Sequence, residues 1–151
     1  EHVTRIQNKK QSVAPNIPVT NCDSDTVCLD LRGKTLAANS RAFDITKGTL
    51  NIYSGNIVGG QTTNSASGQA GNIHVYNGTL NVYGGTITGG QAAKGGGIYV
   101  SKNGKLTITG GTVTGNTGAD GQTPNNICLA EGVKLTPDQL DQNSRFGITM
   151  D

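Results

Sequence analysis

The sequence predicts an all-β chain wound as a short parallel β-helix, a solenoid of about 4–5 turns with three short strands per turn and capped ends, and three observations predict it. Residues 43–61 realign on 73–91 almost position for position, a third copy starts at Ile98 and a truncated fourth at Ile127, so the starts are 30, 25 and 29 residues apart. Within each copy apolar and polar residues alternate over three stretches, as in Ile73/Val75, Leu80/Val82 and then Ile87; period two is the signature of a half-buried strand. Glycine supplies 23 of 151 residues, aromatics only 4% and tryptophan none, a composition that disfavours helices.

The elements follow in order. Residues 1–21 hold Pro15 and Pro18 and little pattern, and read as an arm or linker before a solenoid spanning 22–136 and a cap over 137–151. Val27 to Leu31 and Lys34 to Leu36 form an opening turn. One repeat alone buries too few side chains, but stacking places Phe43, Ile73, Ile98 and Ile127 in one internal column and Ile45, Val75, Val100 and Leu129 in the next. Asn77-Gly78 and Asn103-Gly104 are tight turns. Length varies after the third strand, over 61–72, 91–97 and 117–126, so insertions collect as loops on one edge. Thr136-Pro137 is expected to start a short helical turn over the last rung, and residues 145–149 to add a final strand. An antiparallel sandwich competes, but it gives no reason for near-identical copies.

The net charge of +2 is scattered apart from Lys9-Lys10, which does not suggest a nucleic-acid binder. No apolar run reaches the length of a membrane span, about 18 residues, and the first residues carry no basic stretch followed by an apolar one. Direct membrane insertion is therefore not expected. Of three cysteines, Cys22 and Cys28 are close enough to close a small loop and leave Cys128 over; three reduced thiols are the alternative.

Leu29-Asp30-Leu31-Arg32-Gly33-Lys34-Thr35-Leu36, the copies at Gly48-Thr49-Leu50-Asn51-Ile52 and Gly78-Thr79-Leu80-Asn81-Val82-Tyr83-Gly84-Gly85, and Gly95-Gly96-Gly97-Ile98-Tyr99-Val100 together resemble the right-handed parallel β-helix repeats of cell-surface proteins of Gram-positive, often gut-dwelling bacteria. The likeness covers roughly residues 27–150. It implies an extracellular or secreted, adhesin-like or stalk-like segment of a longer multidomain protein. The wider pectate-lyase-like class includes enzymes, so the chemistry is weighed on the residues themselves.

From Ile45 to Ala119 there is no aspartate or glutamate, so the solenoid body lacks the carboxylate pair of a glycosidase. A calcium-dependent lyase would have only Asp30, Asp44 and residues such as Asp120 to hold its cation. The two histidines, His2 and His74, and the absence of Cys-x-x-Cys leave zinc without a ligand set. No catalytic residue, metal or cofactor is expected. Asp44 falls one rung before His74 and Tyr99 one rung after, which reads as an ordinary outward cross-strand column more readily than as a catalytic dyad. Cys128, two rungs from His74, is too distant for a thiolate–imidazole pair.

The candidate binding residues are therefore outward aromatics and amides: Tyr53 and Tyr83 on adjacent rungs, Asn51 and Asn81 beside them, and Tyr76, Tyr99 and His74 on the neighbouring face. Stacked tyrosines make an amphipathic strip suited to sugar rings, although such ladders also stabilise strands by themselves. Thr86/Thr88 and Thr112/Thr114 form a small Thr-x-Thr array that Asn56 and Val58 interrupt. Lys47, Lys94, Lys102 and Lys105 give the middle of the rod a positive bias that suits acidic glycans, or simply solubility. The expected function is a non-enzymatic, adhesin-like extracellular module whose partner is a host or plant glycan or a surface protein. The alternatives are a polysaccharide-degrading enzyme using the 61–72 and 117–126 loops, and a purely structural spacer.

Overall fold

The structure, a computed structural model, describes residues 25–62, 68–137 and 140–150. Strands β1 (Thr26–Ala37) and β2 (Phe43–Ile45) form the first turn, and β3 (Thr49–Val58), β4 (Gln61–Thr62) and β5 (Ile73–Val75) the second. The third holds β6 (Thr79–Val82), β7 (Thr86–Thr88), β8 (Gln91–Ala92) and β9 (Ile98–Val100), and the fourth β10 (Lys105–Ile108), β11 (Thr112–Val113) and β12 (Ile127–Leu129). Strands β13 (Thr136–Pro137), β14 (Arg145–Phe146) and β15 (Ile148–Met150) lie along the last rung. Every ladder between these strands is parallel, and no helix occurs among the described residues. The molecule is a parallel β-solenoid of about four turns.

Register follows the repeat. Phe43 pairs with Ile73, Ile73 with Ile98 and Ile98 with Ile127, so the expected column exists residue for residue. Leu50, Leu80 and Leu106 form another, and Ile57, Ile87 and Val113 a third. All of these side chains are buried. A one-residue slip would turn each of them outward, so burial itself enforces the register. Each fully buried aliphatic contributes about 1.5–3 kcal/mol, and stacking gathers enough of them for a continuous core.

The strands line three faces: a first sheet of β6, β10, β13 and the opening halves of β1 and β3, a second of β7, β11, β14 and their closing halves, continuous with the first, and a third of β2, β5, β9, β12 and β15. Strands β1 and β3 pass from the first to the second without a break, and the bend depends on Gly55. Its φ is +88°, and a Cβ there would lie 2.2 Å from the Cβ of Leu31. In β1 the register shifts twice between Leu29 and Thr35, at a bulge where Arg32 and Gly33 take positive φ.

Two expectations need correction. Thr136-Pro137 is a strand paired with Thr107 and Ile108, not the start of a helix; the open edge of β10 offers parallel partners, and proline, lacking an N–H, is tolerated on a terminal strand. Asp138 and Gln139 lie outside the described residues. The outer side of the third sheet is not a solvated face: His74, Tyr99 and Cys128 are 7%, 4% and 3% exposed. The segment 68–72, just before β5, lies along this sheet, where Ala70 packs in one cluster with Tyr99 and Cys128. Arg41 holds it there through its guanidinium, which donates to the Gln69 carbonyl at 2.6 Å and the Ala70 carbonyl at 3.4 Å.

Candidate functional site

The outward positions of the first sheet form three columns. Thr49, Thr79 and Lys105 lead; Asn51, Asn81 and Thr107 follow; Tyr53, within β3, and Tyr83 and Thr109, just past β6 and β10, come next. This follows directly from period-two alternation in copies that keep their register.

Tyr53 and Tyr83 stack with ring centroids 4.9 Å apart and planes 10° apart. Each is 44% exposed. Because the two facing ring surfaces cover each other, the pair offers solvent its edges, its phenol hydroxyls and its far faces. Asn81 Nδ2 donates to Asn51 Oδ1 at 2.8 Å, and Asn51 Nδ2 approaches Cys28 Sγ at 3.8 Å. The amides thus form a ladder and keep one end free for a ligand only at Asn81 Oδ1 and the remaining N–H groups. Cys28 is disulfide-bonded and Cys128 is not; the expected partner Cys22, like the arm over residues 1–21 with His2, lies outside the described residues.

Beside the tyrosines the bulge of β1 carries an acidic group. The Ser54 hydroxyl donates to the Asp30 carboxylate, and the Arg32 N–H donates to Asp30 Oδ1 at 3.1 Å. The Arg32 guanidinium lies 3.9 Å away. The Ser54 hydrogen bond first, then the Arg32 N–H and the Arg32 charge, hold the Asp30 carboxyl below its ordinary range.

Tyr76, Tyr99 and His74 belong to a different group from the tyrosine pair. Tyr76 is 57% exposed and meets the His74 ring edge-on at 5.7 Å; Tyr99, buried, tilts against the same ring at 5.6 Å. Ser101, which the sequence motifs did not single out, completes a line across three rungs. His74 Nε2 lies 2.9 Å from Ser101 Oγ, and His74 Nδ1 lies 3.4 Å from Asp44 Oδ1. The order of groups is that of a serine nucleophile, its base and an orienting carboxylate. The histidine–aspartate distance is longer than the roughly 2.6–3.2 Å of a direct catalytic hydrogen bond, the imidazole contacts two aromatic rings, and Arg41 engages Asp44 Oδ2 at 3.3 Å.

The loop carboxylate Asp120 is likewise committed. It accepts the Gln122 and Thr123 N–H groups at 2.9 Å and the Thr123 hydroxyl at 2.5 Å, and these bonds, led by the Thr123 hydroxyl, lower its pKa. Gln61 and Gln69 lie in the other loop, and no second carboxylate accompanies either set among the described residues. No cluster of three metal-ligating side chains occurs among the described residues, and no described helix is long and apolar enough to cross a membrane.

The third corner contains a buried amide relay that sequence reading missed. Asn72 and Asn116 are 0% and 1% exposed. Asn72 Oδ1 accepts Gly60 N–H at 2.9 Å, and its Nδ2 donates to Thr88 O at 3.0 Å. Asn116 Oδ1 accepts Gly90 N–H at 2.9 Å, and its Nδ2 donates to Ile87 O at 3.0 Å. The available signals were the asparagine directly before β5, Asn72, and Asn116 at the position where the two preceding copies have Gly60 and Gly90.

Fold and surface together define a class: a short parallel β-solenoid displaying outward threonine, amide and aromatic columns. No family model, no curated protein and no solved structure matches the chain.

Proposed function

We propose that this chain is a non-enzymatic surface segment of a larger extracellular bacterial protein of the kind its repeats resemble, and that it binds glycan through the outward Tyr53/Tyr83 face. The observation that carries the reading is the stacked, half-exposed pair of phenols rising beside the Asn51–Asn81 ladder. Tyrosine offers large, rigid contact area with a polar tip at little conformational cost. The disulfide at Cys28 fits an oxidising compartment.

The test is a glycan array of mucin, plant and bacterial polysaccharides with a Tyr53→Ala/Tyr83→Ala double variant beside the parent chain. The expected result is binding that the variant loses while its Tm holds within a few degrees. A second reading, a structural spacer, is favoured by the way the rings and the amides turn toward one another. Absence of binding to every glycan, with the double variant merely less stable, would leave that spacer reading in place of the first.

A further inference from the structure

The corner that leads into the first sheet is grooved. Two adjoining cavities, of about 360 and 350 Å³, share Thr79 and Lys105 in their walls. One is further lined by Lys102, Lys134, Thr107 and Thr136, the other by Thr49, Asn77 and Asn103. The stacking that builds the core builds this groove too, because the turns following β2, β5, β9 and β12 lie above one another.

Its chemistry is one-sided. Lys102, Lys105 and Lys134 are exposed, and no carboxylate lines either cavity. The ion pairs among the described residues are Arg32–Asp30, Arg41–Asp44 and His74–Asp44, which leaves these three lysines uncompensated there. Glu131, three residues from Lys134, is not part of the wall, and Asp138, four residues beyond Lys134, lies outside the described residues. Hydroxyls and amides supply the rest of the lining, and the groove contains no aromatic ring for a base to stack on.

We infer that this groove receives the carboxylate or sulfate groups of an acidic polysaccharide whose rings continue along the sheet to the tyrosine pair. From Thr79 to Tyr83 the strand runs four residues, roughly 13 Å, through the Asn51–Asn81 ladder. A single exposed lysine contact is weak and screened, so recognition requires a repeating anion that meets several lysines at once. The inference rests on the glycan-binding reading above and names its ligand class.

The experiment measures binding of the intact chain to polygalacturonate, dextran sulfate and neutral dextran, with a single-stranded oligonucleotide as a fourth probe, at low and high salt. The expected result is binding to the acidic polysaccharides alone, weakened by roughly tenfold or more when salt rises to about 0.5 M. A Lys102→Gln/Lys105→Gln/Lys134→Gln variant, altered only at exposed positions, should lose at least about tenfold while the parent Tm is kept. Neutral dextran bound as well as the acidic polymers, or acidic binding untouched by the lysine variant, would overturn the inference and leave the tyrosine reading standing. Stronger binding of the oligonucleotide would overturn the assignment to glycans. If no polysaccharide binds, here or on the array, both readings fall.

Discussion

Asn72 and Asn116 meet side chain to side chain in the interior, Nδ2 to Oδ1 at 3.2 Å, although 44 residues separate them in the chain. Their contact ties the second turn to the fourth at the corner where loop length varies most. A buried amide there satisfies backbone groups that the interrupted strand ladder leaves over.

Replacing Asn116 with alanine strands the Gly90 N–H, removes one of two donors from the Ile87 carbonyl, which keeps the Thr114 N–H at 3.3 Å, and removes a partner of Asn72. With about 1–3 kcal/mol for one buried orphan, the expected loss is about 2 kcal/mol, lowering Tm by roughly 6 °C. Gly97→Ala should destabilise by a comparable route, since its Cβ would fall 2.6 Å from Asn126 O and 2.8 Å from Asn116 Nδ2. Thermal melts of both variants test this, and an unchanged Asn116→Ala melt would remove the relay from the account of stability.

Ser101 should not behave as a nucleophile. Treating the chain with a fluorophosphonate probe is expected to leave Ser101 unlabelled by mass spectrometry, because His74 is buried against two rings and stands 3.4 Å from Asp44 Oδ1, beyond a direct hydrogen bond. Stoichiometric labelling, abolished by His74→Ala, would instead make this line an acyl-transfer site and end the non-enzymatic reading.

Asp30 sets part of the acid limb of stability. Its carboxyl is held below the ordinary range in the folded chain, so the unfolded state binds the proton more readily. The contribution is full above about pH 4 and is lost as pH falls through the lower folded value. Asp30→Asn should flatten the stability profile below about pH 4, by a small amount because the group is partly exposed. Denaturant midpoints between about pH 2 and 6 measure it; identical profiles for the two chains would contradict the assignment.

Non-reducing peptide mapping should join Cys28 to Cys22 and recover Cys128 as a thiol. Reducing agent should then lower Tm, with about 2 kcal/mol expected for a short closed loop. A Cys28–Cys128 linkage would contradict the buried position of Cys128 beside Tyr99 and Ala70.

Repetition with period-two alternation was enough to read the solenoid, its core columns from Phe43 to Ile127, and the pairing of Tyr53 with Tyr83, because in a stacked fold the register of one copy dictates that of the next. Three matters were decided only in three dimensions. The segment just before β5 placed Ala70 against Tyr99 and Cys128, and candidate surface residues His74 and Tyr99 became buried. The open edge of β10 drew Thr136-Pro137 into a strand where local capping signals pointed to a helix. Asn72 met Asn116, and Lys102, Lys105 and Lys134 came to line one cavity, across corners whose loops differ in length. Periodicity carries information about positions that recur at the same place in every turn; what an irregular loop covers, and which side chains two unequal corners bring together, depends on the path of the chain through space.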